Sequence, residues 1–288
     1  MSTCLFATVT LSAGGWVVVT GFMAAPAVCV PPPAAAATSL LGCQSYTIFY
    51  GSPTPAAIAK LRLYSLVVIE PRLWHPAQVH TLQQHGTKVL GYLSVLEQHA
   101  SSLLLPQAEP EDYLWLNGER DFRSAWQSWS MDITSAHYQT LLLADYEQQI
   151  VYKGLHGVFL DTVGNVDDAL WDQEVSDLQR EGVAQFIAAL RARYPTRSIM
   201  QNWGLTQLKD RTAPYIDGLL WENFVPQVVS NDRWSQDRMQ ELGSLQARGL
   251  AVFTSVVGIN AKQKPLFKQL NRRHGYVGQV ITSSYGRL

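Results

Sequence analysis

The chain has 288 residues, 47% hydrophobic and 16% charged, a size and balance that suit one large α/β domain. Its formal net charge is -1, with no basic run and no basic–aromatic stripe, which argues against nucleic acid and gives no reason to expect anionic partners.

The first 59 residues carry no charge; Lys60 is the first. Cys4 to Val30 is apolar and rich in small residues, and Pro31-Pro32-Pro33 and an alanine run follow. Residues 1–44 therefore read as a signal- or anchor-like segment plus a Pro/Ala linker. Export is expected, to the cell envelope or beyond it, with membrane association only through this segment. The signal is atypical, because Met1-Ser2-Thr3 lacks the usual Lys or Arg and Gly14-Gly15 interrupts the apolar run. Leu40-Leu41-Gly42-Cys43 resembles a bacterial lipoprotein box, although it lies far from the start. The alternative is an apolar arm packed on the domain. All three cysteines, Cys4, Cys29 and Cys43, lie here, so the body has no disulfide, thiolate nucleophile or cysteine metal site.

From residue 45 to 288 the chain alternates apolar strand, turn and amphipathic helix. Strands are expected at Tyr46–Tyr50, Leu66–Pro71, Val89–Leu93, Gly154–Asp161, Ser198–Asn202, Ile216–Glu222, Leu250–Val257 and Tyr276–Thr282. Thr54-Pro55 and His75-Pro76 open helices with proline at the first position. Helices are also expected over 135–151, 171–194, 234–247 and 260–273. Between Gln98 and Thr134 lies a long connection with Trp115, Trp126 and Trp129. Disorder disfavours tryptophan, so this stretch is expected to be a folded lid or binding loop. Eight strands joined by right-handed crossovers make a (β/α)8 barrel (TIM barrel). The chain ends too soon after the eighth strand for a regular eighth outer helix, and the N-terminal segment is a candidate to cover that gap.

Glu70, Glu97, Asp161, Asn202 and Glu222 all fall at the carboxyl side of strands two to six, with Asp132 in the long connection beside them. A barrel gathers these ends into one bowl. Crowded carboxylates repel, so at least one should have a raised pKa, and two carboxylates of unequal pKa are the machinery of glycoside hydrolysis. Each residue has a plainer reading. Glu70 could pair with Arg72, Asp132 could cap the helix from Ser135, and Asn202 could satisfy loop backbone. Trp203 and Trp221 could stack on sugar or fill the barrel top, while Tyr50, Tyr92 and Tyr285 could bond sugar hydroxyls.

Five segments, in order, resemble glycoside hydrolase family 114, the endo-α-1,4-polygalactosaminidases. They are Leu90-Gly91-Tyr92-Leu93-Ser94-Val95-Leu96-Glu97, Trp129-Ser130-Met131-Asp132-Ile133-Thr134, Gly157-Val158-Phe159-Leu160-Asp161-Thr162, Gln201-Asn202-Trp203-Gly204 and Asp217-Gly218-Leu219-Leu220-Trp221-Glu222. The resemblance spans roughly Tyr46 to Tyr285. It implies a barrel that cleaves α-1,4-linked galactosamine polymers with retention, Asp161 as nucleophile and Glu222 as acid/base. Glu70, Glu97, Asp132 and Asn202 match positions that line the family's sugar site. Two departures stand out: Leu96 where the family has glycine, and Thr162-Val163-Gly164-Asn165 where it often has a second acid.

No cofactor and no metal site is expected. His75, His80 and His85 step by five, which keeps no helix face, and none has zinc-ligand spacing beside a carboxylate. No lysine stands at a strand end for a Schiff base, no glycine-rich phosphate loop stands out, and Ser94 lacks a histidine base two strands on. The expected partner is a polysaccharide or oligosaccharide, bound by a monomer. The alternatives are a glycosidase of another α-linked sugar and a non-catalytic polysaccharide-binding barrel.

Overall fold

The structure, a computed structural model, describes residues 39–168, 170–281 and 285–286. Most of the N-terminal segment, with Cys4, Cys29 and the proposed gap-covering arm, lies outside the described residues.

Eight parallel strands form one sheet in chain order: β1 Tyr46–Phe49, β2 Leu66–Ile69, β3 Lys88–Ser94, β4 Gly157–Asp161, β5 Ser198–Asn202, β6 Gly218–Trp221, β7 Ala251–Val257 and β8 Val277–Ile281. Just beyond their ends, the Tyr50 N–H donates to the Tyr285 carbonyl at 2.8 Å, which draws the first and last strands together. The sheet is thus a nearly closed barrel. The crossovers carry helices α1 Pro55–Leu61, α2 Pro76–Gln83, α3 Ala136–Tyr146, α4 Gln173–Arg193, α5 Leu208–Thr212, α6 Pro226–Asn231, α7 Arg233–Gln246 and α8 Lys264–His274. Among the described residues no helix follows β8.

Local chemistry sets these boundaries. Thr54, Ser135, Asp172 and Asp232 each accept a backbone N–H with the side chain and so cap α1, α3, α4 and α7. Proline stands at the start of α1, α2, α6 and α8, where a missing N–H costs nothing. Gly157 opens β4 because a side chain there would lie 1.9 Å from the Ser198 carbonyl on β5.

Apart from the partly exposed β8, the strands are largely buried on both faces, and their side chains alternate between two cores. Tyr46, Ile48, Leu66, Val68, Leu90, Phe159, Met200, Leu220 and Phe253 fill the barrel interior. Phe49, Val67, Ile69, Val89, Val158, Leu160, Leu219 and Val252 face the helices. Leu40 and Cys43 join the interior core, so the barrel's packing begins ahead of the expected start at residue 45.

The long connection is folded. Glu97–His99, Ser128–Ser130 and Phe122–Arg123 form a small antiparallel sheet, and Trp115–Leu116 pairs with Glu119–Arg120. This excursion follows β3 and stands over the carboxyl ends of the strands.

Candidate active site

The interior column of each strand continues upward into the bowl. Counting by two from buried interior residues leads from Ile48 to Tyr50, Val68 to Glu70, Leu90 to Tyr92, Phe159 to Asp161, Met200 to Asn202 and Leu220 to Glu222. All six line one cleft of about 760 Å³. Tyr285 joins them from beyond β8.

Asn202 holds the centre of the cleft. Its amide nitrogen donates to Asp161 Oδ1 at 2.7 Å and to Glu222 Oε2 at 3.1 Å. These two oxygens therefore stand no further apart than 2.7 plus 3.1 Å. A planar amide that gives one hydrogen to each puts them about 5 Å apart. The Asn202 Oδ1 atom is buried without a hydrogen-bond partner. Turning the amide over would set that oxygen against two carboxylates, so the orphaned acceptor accompanies the bridge.

Glu222 accepts a second bond from the Tyr285 hydroxyl on its other oxygen. Burial pushes the Glu222 carboxyl above the ordinary range. The bonds from Tyr285 and Asn202 pull it down in part, and the neighbouring Asp161 charge pushes it up. Burial also holds the phenols of Tyr50, Tyr92 and Tyr285 well above their usual range, helped by the carboxylates beside them. These hydroxyls remain protonated beside the carboxylates.

Each of the three central residues is followed by one in the left-handed region: Thr162 at φ 64°, Trp203 at φ 58° and Asn223 at φ 54°. A non-glycine residue there costs on the order of 1–3 kcal/mol, held only where surroundings over-determine it. At Thr162 the surroundings are visible. Its Oγ1 accepts the N–H groups of Val95 at 3.1 Å and Leu96 at 2.8 Å and donates to the Asp161 carbonyl at 2.6 Å. The end of β4 is thereby tied to the turn after β3. Gly164, where the chain departs from the family pattern, leaves no room for a side chain: a Cβ would lie 2.3 Å from that of Trp203.

Glu70 lines the cleft, and its side chain also accepts the Arg72 N–H at 3.1 Å. Burial raises its pKa. Glu97 is not at the end of β3 as expected. It sits on the excursion, where Asn165 Nδ2 at 2.6 Å and Ser128 Oγ at 2.5 Å occupy its two oxygens, and it still reaches the cleft.

Two expected site residues do not line it. Asp132 Oδ1 takes the Thr134 N–H and hydroxyl and the Gln179 amide, which fixes the entry to α3. Trp221, one step from Leu220, points away from the barrel axis and packs edge-on against Phe224 and Trp234. Trp203 does line the cleft, its ring 6.4 Å from Trp234.

Residues from outside the strands complete the wall. Arg72 reaches Asp145 at 2.7 Å, and both line the cleft, as do Asn165, Asp168 and Trp126. Asp145, on the last turn of α3, stands in no strand pattern and is not recognisable as a cleft residue from its neighbours in sequence. Among the described residues no group of three or more histidine, cysteine or acidic side chains is arranged to hold a metal.

The bowl of the eight-stranded barrel thus brings two carboxylates, Asp161 and Glu222, onto one amide, an arrangement that two-carboxylate glycoside hydrolysis can use. The model of the hypothetical glycosyl hydrolase family 15 matches residues 86–282, and the chain belongs to that family. It is a glycoside hydrolase, and the family-114-like barrel expected from the motifs is the fold it adopts. Among solved structures it is similar to the glycoside hydrolase domain of PelA from Pseudomonas aeruginosa. That match has 23% identity and a TM-score of 0.69, over 86% of this chain and 98% of that one. It is also similar to Ega3 of Aspergillus fumigatus in complex with galactosamine, at 15% identity and a TM-score of 0.63, over 84% of this chain and 91% of that one. A third likeness is to the α-galactosidase AgaA of Geobacillus stearothermophilus, at 11% identity and a TM-score of 0.58, over 83% of this chain and 39% of that one. At these identities the likeness is one of fold. A search of the curated proteins found none that matches.

Proposed function

We propose that the protein is a retaining, endo-acting glycosidase of α-1,4-linked galactosamine polymers, with Asp161 as nucleophile and Glu222 as general acid/base. The observation that carries this reading is the single Asn202 amide that bonds both carboxylates. Retention needs the two groups about 5–5.5 Å apart, whereas inversion needs about 6.5–9.5 Å to admit a water.

The environments favour this division of roles. Burial raises the pKa of Glu222, the direction that suits a general acid. In the first step Asp161 attacks the anomeric carbon while Glu222 protonates the departing glycosidic oxygen. A glycosyl–Asp161 ester forms and the shortened chain leaves. In the second step the Glu222 carboxylate takes a proton from water, whose oxygen attacks the same carbon and releases Asp161. Two inversions restore the α configuration. The Asn202 amide, bonded to both groups, sets their separation before the sugar arrives.

The choice of sugar rests on charge. Glu70, Glu97, Asp145, Asp161, Asp168 and Glu222 line the cleft, and among the described residues Arg72 is the one guanidinium that does so. A polymer bearing free amines is cationic, and an acidic, walled cleft concentrates it. The likeness to a protein solved with galactosamine points the same way.

Asp161→Asn tests the assignment. It should lower hydrolysis of partially deacetylated galactosaminogalactan by on the order of a thousandfold while thermal melting stays near that of the unmutated protein. Full hydrolysis by the variant would show that Asp161 is not the nucleophile.

A further inference from the structure

The excursion after β3 places an exposed indole on the wall of the catalytic cleft. Trp126 is 72% exposed, although burying such a ring is worth several kcal/mol in general. Its turn is well held. The Trp126 N–H donates to the Arg123 carbonyl at 3.1 Å, and the Gln127 side chain donates to the Ser124 carbonyl at 2.7 Å. The Ala100 N–H donates to the Gln127 carbonyl at 2.7 Å, and Ser128 pairs in register with His99. Ser128 also donates to Glu97, which Asn165 in turn ties to the segment after β4. The indole is therefore presented from a braced support.

His99, on the adjoining strand, supplies a polar partner. Its Nδ1 lies 3.1 Å from the Ser101 N–H and 2.7 Å from the Ser101 hydroxyl. A backbone N–H can only donate, so Nδ1 is the acceptor and the neutral ring carries its hydrogen on Nε2. His99 and Trp126 line the same cleft as Asp161 and Glu222. A cleft of about 760 Å³ has room for more than one sugar ring.

We propose that Trp126 and His99 form a distal sugar-binding subsite, in which the indole stacks on a ring of the bound polysaccharide and His99 Nε2–H donates to one of its hydroxyls. The occupant is a sugar unit of the substrate chain, because the surface is continuous with the cleft where that chain is cut. The proposal rests on the reading of the protein as a polysaccharide-cleaving enzyme. Its consequence is specificity for chain length: a polymer that reaches Trp126 binds better than a short oligomer that does not.

The test compares the unmutated protein with Trp126→Ala, Trp126→Phe and Tyr152→Ala on galactosamine oligomers of increasing length and on partially deacetylated galactosaminogalactan. Tyr152 is 75% exposed and does not line the cleft. Trp126→Ala should raise KM on the polymer about tenfold with little change in kcat, the loss growing with oligomer length. Trp126→Phe should recover most of it, and Tyr152→Ala should change neither constant. An equal loss at every length, or no loss on the polymer, would overturn the subsite. Affinity electrophoresis of Asp161→Asn, with and without Trp126→Ala, through gels containing the polymer separates this idea from the reaction. If the unmutated protein does not cleave the polymer but Trp126→Ala still abolishes retardation, the subsite stands and the reaction assignment falls. If Asp161→Asn is not retarded at all while the unmutated protein cleaves the polymer, the subsite falls and the reaction assignment stands.

Discussion

Tyr285→Phe isolates one bond to the proposed acid/base and leaves the ring in place. The Tyr285 hydroxyl donates to Glu222, and this bond favours the carboxylate over the carboxylic acid. A hydrogen bond to a charged group contributes about 1.5–3 kcal/mol, and one pKa unit corresponds to about 1.36 kcal/mol. Glu222 is partly open to the cleft, so water replaces some of what is lost, and the expected shift is about one unit. Its sign follows from which form the bond stabilises. Without the donor the carboxylate is less favoured, the pKa rises further, and the proton is lost at higher pH. The basic limb of kcat/KM reports the pKa of the general acid in the free enzyme. The assay is therefore a pH profile of kcat/KM on galactosamine oligomers, in which the basic limb of Tyr285→Phe lies about one unit above that of the unmutated protein. A basic limb that stays in place or moves to lower pH would refute the pairing of Tyr285 with the catalytic acid.

Thr162→Ala should destabilise the fold by about 2 kcal/mol in denaturant melts, because the Val95 and Leu96 N–H groups lose their acceptor while the left-handed backbone remains. Thr162→Ser keeps the hydroxyl and should restore most of that stability. Leu40→Ala should cost about 2–4 kcal/mol by the same measurement, since Leu40 is 1% exposed and fills the barrel floor beside Gly218. A Leu40→Ala protein as stable as its parent would show that the barrel's packing starts later in the chain.

The barrel was legible because each strand is a short apolar run that ends at a polar residue or turn. The ends of β4 at Asp161 and β5 at Asn202 fall where the sequence placed them. Five of the bowl's residues, Glu70, Tyr92, Asp161, Asn202 and Glu222, were equally readable, because they extend interior columns by simple alternation. The same alternation decides Trp221: Leu220 points inward, so its neighbour must face the helices. Glu97 was misplaced because β3 ends at Ser94, opposite Asp161, and the chain then turns into the excursion. Asp132 looked like a bowl residue because it lies in that excursion, yet local loop amides and Gln179 take its carboxylate. Asp145, Asn165 and Trp126 left no trace in the strand pattern. They enter the cleft from a helix end and two turns, whose positions depend on tertiary packing.

The separation of Asp161 from Glu222, set by the amide of Asn202, is the claim on which the mechanism stands. Proton NMR of galactosamine oligomer hydrolysis, followed from the first turnovers, reads it out as the configuration of the newly released reducing end. The α anomer should accumulate first and only later equilibrate with β. Initial release of the β anomer would mean inversion and would contradict a nucleophilic Asp161.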